Sequence, residues 1–142
     1  MSVRSCSVLI LTADGKLRET LQAMLEHSGE GAFRVEHRET LVEGLERLAA
    51  ARCDALLLDL NLGDRRGLSA LVEAHFHFRT LPIVVLVSRE NESLGKQAEQ
   101  AGALGFLVKE DLSPRLLENS LRQALNSREV PPERAQPGRQ ES

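Results

Sequence analysis

Four polar side chains each stand just past a short apolar run. They are Asp14 after Val8–Leu11, Asp59 after Ala55–Leu58, Ser88 after Ile83–Val87 and Lys109 after Phe106–Val108. A carboxylate, a hydroxyl and an ammonium gathered at one edge are what transfer of a phosphoryl group to a carboxylate needs. Asp59 is the candidate nucleophile, Lys109 offsets negative charge, and Ser88 donates a hydrogen bond to a phosphoryl oxygen. Asp59 taken alone reads equally as a turn or capping aspartate. An ionised carboxylate beside a buried strand is costly unless it is paired, hydrogen-bonded or metal-bound, and it is the coincidence with Ser88 and Lys109 that favours the chemical reading.

The elements that must position these groups follow from periodicity. Ala55-Leu56-Leu57-Leu58-Asp59 reads as a buried strand, beginning near Asp54, that opens into the Gly-punctuated turn Leu60–Gly67. Ahead of it, Cys6–Leu11 is a strand, Thr12-Ala13-Asp14-Gly15 a turn, and Leu17, Leu21, Met24 and Leu25 a helical stripe with a stop at Ser28-Gly29-Glu30-Gly31. Phe33–His37 alternates apolar and charged residues, as an outer, half-exposed strand does. Thr40-Leu41-Val42-Glu43 has capping-box spacing, and Leu41, Leu45, Leu48 and Ala49 continue it as a helix to about Ala51.

Leu68, Leu71 and Val72 mark a third helix, to about His77, and Pro82 opens the β-branched run Ile83–Val87, a strand covered on both faces. Asn91–Ala101 carries only a thin stripe, Leu94, Ala98 and Ala101, with Gly95 inside it, and is expected to be the most weakly held helix. Ala103–Val108 is the fifth strand. Ser113-Pro114 then starts a last helix with Leu117, Leu121, Ala124 and Leu125 on one face.

Alternating strands and helices predict an α/β domain, a five-stranded parallel sheet with helices on both faces in right-handed crossovers. The flavodoxin-like order 2-1-3-4-5 places the carboxyl ends of strands one and three side by side, at the switch point where such sheets bind ligands. Residues 1–126 form this domain, and 127–142, with Pro131, Pro132 and Pro137, is expected to be a disordered tail or linker.

Composition narrows the partners. A chain of 142 residues with 42% hydrophobic content buries a core without disulfides, and Cys6 and Cys53 read as small hydrophobes. Lys and Arg total 18 against 21 Asp and Glu, a net charge of −3 that points away from direct nucleic-acid binding. The apolar run after the N-terminus is too short for a signal-peptide core or a membrane span, so a cytoplasmic protein is expected. His75 and His77 lie two apart and do not share a helix face, so they are read as surface or partly buried histidines rather than a metal pair. A flavin or nucleotide enzyme is disfavoured, since the first turn has neither G-x-G-x-x-G nor a P-loop and the chain has no Trp or Tyr.

From about Ser7 to Leu125 the sequence resembles the receiver domain of two-component response regulators. The resemblance is carried by Leu56–Leu62 with Gly67 eight residues after Asp59, by Val87-Ser88, and by Ala101-Gly102-Ala103-Leu104-Gly105-Phe106-Leu107-Val108-Lys109. It implies Asp59 as phosphoacceptor, Ser88 as switch hydroxyl, Phe106 as switch aromatic and Lys109 as supporting lysine. It also implies a Mg²⁺ ion held by Asp59 and the Asn61 main-chain carbonyl. The partners implied are a histidine kinase or histidine phosphotransfer protein, an effector domain or protein downstream, and signalling through helix four, strand five and helix five, without enzymatic activity of its own.

The chain departs from that pattern in places. Thr12 and Ala13 stand where receivers carry two adjacent acids, which leaves Asp14 as the remaining candidate ligand and predicts weakened Mg²⁺ binding. Gly63 and Glu110 stand where prolines are common. The alternative that these departures raise is a pseudo-receiver, a binding module regulated without phosphorylation.

Overall fold

The computed structural model describes residues 6–26, 33–65 and 67–129. Within them, strands and helices alternate as β1 (Cys6–Leu11), α1 (Gly15–Glu26), β2 (Phe33–Arg38), α2 (Leu41–Ala50) and β3 (Ala55–Asp59), continuing with α3 (Leu68–His77), β4 (Ile83–Val87), α4 (Glu92–Gln100), β5 (Gly105–Val108) and α5 (Pro114–Glu129). The sheet order is β2-β1-β3-β4-β5, and every neighbouring pair is parallel. Register aligns Leu11 with Leu58, Asp59 with Leu86, and Val87 with Val108, so four strands end at one edge.

Period-two alternation divides the core between the two faces. Leu9, Leu11, Leu56, Leu58, Val85 and Val87 point to the side covered by α2, α3 and α4, where they meet Leu41, Leu48, Leu71 and Ala98. Val8, Ile10, Leu57, Val84 and Leu86 point the other way, to Leu21 and Leu25 of α1 and to Leu117 and Leu121 of α5. At about 1.5–3 kcal/mol for each large aliphatic side chain fully buried, these two layers hold the strand ends in place against the site's polarity.

Helix starts are fixed by polar caps. The Thr40 hydroxyl accepts the Glu43 N–H at 3.1 Å, while the Glu43 carboxylate reaches back to the Glu39 N–H at 3.3 Å, one residue before the cap. Asp64, in the loop after β3, adds a second cap by accepting the Leu41 N–H at 3.0 Å. That bond ties the loop beyond Asp59 to α2. At the start of α5 the Ser113 hydroxyl accepts the Leu116 N–H at 3.1 Å.

Val72 lies in α3 as expected and is 52% exposed, on the side of the helix away from the buried stripe of Ala70, Leu71 and Ala74. Several boundaries differ from expectation. Strand β5 starts at Gly105 rather than Ala103, whose N–H instead closes α4 by donating to the Ala98 carbonyl at 3.0 Å. Asn91 belongs to a short 3₁₀ turn, Arg89–Asn91, ahead of α4. Helix α5 continues to Glu129, past the expected boundary at 126, while the Ser28–Gly31 stop and the tail from 130 onward lie outside the described residues. No helix among the described residues is long and apolar enough to cross a membrane.

Candidate functional site

Asp59 closes β3 and is 1% exposed. Its carboxylate accepts from donors of three kinds. Oδ1 accepts from the Lys109 ammonium at 2.8 Å and from the Asn61 N–H at 2.9 Å. Oδ2 accepts from the Thr12 hydroxyl at 2.7 Å. Thr12, one residue past β1, is also only 1% exposed, and its own oxygen accepts the Asp14 N–H at 3.1 Å. A hydroxyl has one proton, so with a backbone N–H on its oxygen that proton is directed at Asp59.

The site opens on the Oδ1 side. A cavity of about 290 Å³ is lined by Asp59, Asn61, Ser88, Asn91, Leu94 and Lys109 among others, but not by Thr12. Lys109 follows β5 in a short 3₁₀ turn, and its side chain is 21% exposed. Ser88 follows β4, and its Oγ accepts a long hydrogen bond, 3.4 Å, from the Asn91 side chain. The loops carrying Ser88 and Lys109 are clasped together, since Glu110 accepts the Arg89 N–H at 2.9 Å and the Arg89 guanidinium pairs with Asp111. Glu110 thus has a structural task where the family often carries proline.

Phe106, on β5, is half-buried with its ring against α4. A Cβ on Gly95 would come within 2.3 Å of that ring, so only glycine allows this seat. Gly67, which lines the cavity, takes φ +68°, the left-handed region that favours glycine, and its N–H closes the loop onto the Leu60 carbonyl at 2.8 Å.

The expected site residues therefore divide. Asp59, Asn61, Ser88 and Lys109 share the cavity, and Phe106 is outside its lining, on β5 with its ring against α4. Asp14 does not join them. It is exposed, and its Oδ1 accepts the N–H groups of Lys16 and Leu17 at 3.0 and 3.2 Å, capping α1. Thr12 and Asn91 are the residues the sequence reading missed. His75 is half-buried and His77 exposed, so they do not act together.

These residues do not make up a Mg²⁺ site. Mg²⁺ demands near-octahedral oxygen coordination, usually with one or two carboxylates free to bind it. Here the single carboxylate already has donors on both oxygens, one of them the Lys109 ammonium, Asp14 is committed to a cap, and beyond Asp59 only the neutral Asn61 carbonyl is left of the implied ligands, with Thr12 and Ala13 supplying no acid.

Comparison with known proteins gives the family. The model of the response regulator receiver domain matches residues 8–122. Response regulator MprA of Mycobacterium ulcerans is 35% identical over 77% of this chain and 44% of its own length. The KDP operon transcriptional regulatory protein KdpE of Escherichia coli is 34% identical over 72% of this chain and 44% of its own. Sensory/regulatory protein RpfC of Xanthomonas campestris is 30% identical over 90% of this chain but only 18% of its own.

Among solved structures, a putative response regulator from Chloroflexus aurantiacus superposes with TM-score 0.78 at 25% identity, covering 87% of this chain and 99% of that one. A CheY-like receiver domain from Methanospirillum hungatei gives 0.74 at 25% identity, covering 89% and 98%. The chain belongs to the response regulator receiver domain family of two-component systems. It spans less than half the length of each of the three curated relatives.

Proposed function

We propose that this receiver accepts a phosphoryl group on Asp59 from a histidine kinase or histidine phosphotransfer protein and passes the signal through the face of α4, β5 and α5 to an effector domain or protein. It is a signalling module rather than an enzyme in its own right. The observation that carries the reading is the ion pair of buried Asp59 and half-buried Lys109, 2.8 Å apart beside a cavity that both line together with Ser88. The Asp59 oxygen attacks phosphorus, the bond from phosphorus to the donor's imidazole nitrogen breaks, and the electron pair leaves with the imidazole. Lys109 moves from carboxylate to phosphoryl oxygen, so charge stays offset throughout.

Phosphorylation adds roughly 1.5 to 2 negative charges. The pull falls on Ser88, whose hydroxyl accepts a long hydrogen bond from Asn91, and on Phe106 with its ring seated against α4. Free thiols at Cys6 and Cys53 suit work in the reducing cytoplasm. The pseudo-receiver is the second reading; Thr12 on Oδ2 speaks for it, and the retained Asp59, Ser88 and Lys109 weigh against it.

The test is the amide spectrum of ¹⁵N-labelled protein before and after a small acyl-phosphate donor. Donor-dependent shifts at Asn61, Ser88, Gly95 and Phe106 that vanish in Asp59→Asn are expected. A spectrum unchanged by the donor contradicts the proposal.

A further inference from the structure

We propose that the Asp59 site works without a divalent cation, the Thr12 hydroxyl taking over the part that a metal ion would play in holding the carboxylate. The inference rests on the receiver reading of Asp59 and specifies how that site is built.

Three observations lead to it. First, the hydroxyl is directed. Thr12 and Asp59 are both buried, the bond between them is 2.7 Å, and the Asp14 N–H on the far side of the Thr12 oxygen leaves its proton only Asp59 to point at. Second, the charge is already balanced. One carboxylate faces one ammonium at 2.8 Å, so a doubly charged ion entering here finds no surplus negative charge and meets Lys109 as a repelling neighbour. Third, four other acids near this edge have tasks elsewhere. Asp14 caps α1, Asp64 caps α2, and Glu110 and Asp111 hold Arg89.

Thr12 is therefore a positioning residue. It holds Oδ2 from outside the cavity lining, while the donors on Oδ1, Lys109 and Asn61, both line the cavity. Oδ1 is the oxygen that forms the bond to phosphorus. Oδ2 becomes the carbonyl oxygen of the acyl phosphate and keeps the Thr12 hydroxyl as its donor.

The experiment has two arms. In the first, ¹⁵N-labelled protein is titrated with Mg²⁺ alone. Wild type is expected to show no saturable shift at Leu60, Asn61 or Lys109, whereas Thr12→Asp combined with Ala13→Asp gains a saturable response that Asp59→Asn abolishes. Saturable, Asp59-dependent shifts in wild type at low millimolar Mg²⁺ would overturn the proposal.

In the second arm, the rate of mass gain from an acyl-phosphate donor is compared in Mg²⁺ and in EDTA. Equal rates within twofold are expected, with a loss of about tenfold or more in Thr12→Val, the size expected for losing a hydrogen bond to a charged group, and retention in Thr12→Ser. Abolition by EDTA, or a Thr12→Val variant as fast as wild type, overturns it. A folded wild type that gains no mass in either buffer would defeat the phosphoacceptor reading instead, and the Mg²⁺ titration would still decide this one.

Discussion

The ring of Phe106 fills the space that a side chain at position 95 would need, so β5 and α4 touch through a residue that has no Cβ. A methyl group there meets ring carbons at 2.3, 2.4 and 2.8 Å, so one of the two elements must give.

Gly95→Ala should cost about 1–3 kcal/mol from overpacking, offset by about 1 kcal/mol of gained helix propensity. In a Phe106→Ala background the clash is gone and the same substitution should be neutral or stabilising. Urea unfolding of the four proteins in this cycle measures the coupling, expected near 1–2 kcal/mol. Simple additivity would show that ring and helix are not in contact.

Removing Lys109 leaves Asp59 buried with two neutral donors and no counter-charge. Lys109→Ala should destabilise the fold by about 1–3 kcal/mol, since a buried charge that loses its partner is costly and Lys109 is partly open to solvent. Adding Asp59→Asn removes the stranded charge and should recover part of the loss. A double variant less stable than Lys109→Ala alone would argue that the pair is not what holds this edge.

Stability on the acid side should fall in two steps set by β2. Burial holds the His37 imidazole below the ordinary histidine value of 6.5. The unfolded chain therefore takes up that proton first, and stability is lost as pH falls from about 6.5 to the lowered folded value. The Arg47 guanidinium, hydrogen-bonded at 2.6 Å, holds Glu36 below the ordinary 4.5, so its contribution is present above that value and is lost as pH falls through the folded one. With the Glu36 side chain 45% exposed, that second step should stay below about 1 kcal/mol. Unfolding midpoints between pH 7.5 and 4 should flatten in the upper range for His37→Gln and in the lower range for Glu36→Gln. Parallel profiles for wild type and both variants would contradict the assignment.

Much of this fold is legible in the sequence because its strands are nearly unbroken apolar runs. Ala55–Leu58 and Ile83–Val87 declare themselves buried on both faces, and the residues next to them in sequence, Asp59 and Ser88, inherit a common edge from parallel register. The misses have local or non-local causes. Asp14 lies next to the start of α1, where aspartate is favoured as a cap, and that competing role prevails over the metal-ligand reading. Thr12 reads as a missing acid until the pairing of Leu11 with Leu58 sets its hydroxyl beside Asp59, 47 residues away in sequence.

The most direct measurement is the intact mass of wild type and Asp59→Asn after incubation with an acyl-phosphate donor, before and after hydroxylamine, which discharges acyl phosphates but not phosphoserine or phosphothreonine. The account predicts one added phosphoryl group on wild type, removed by hydroxylamine and absent from an equally folded Asp59→Asn. No added group on the folded wild type, or one that persists in Asp59→Asn, would contradict it.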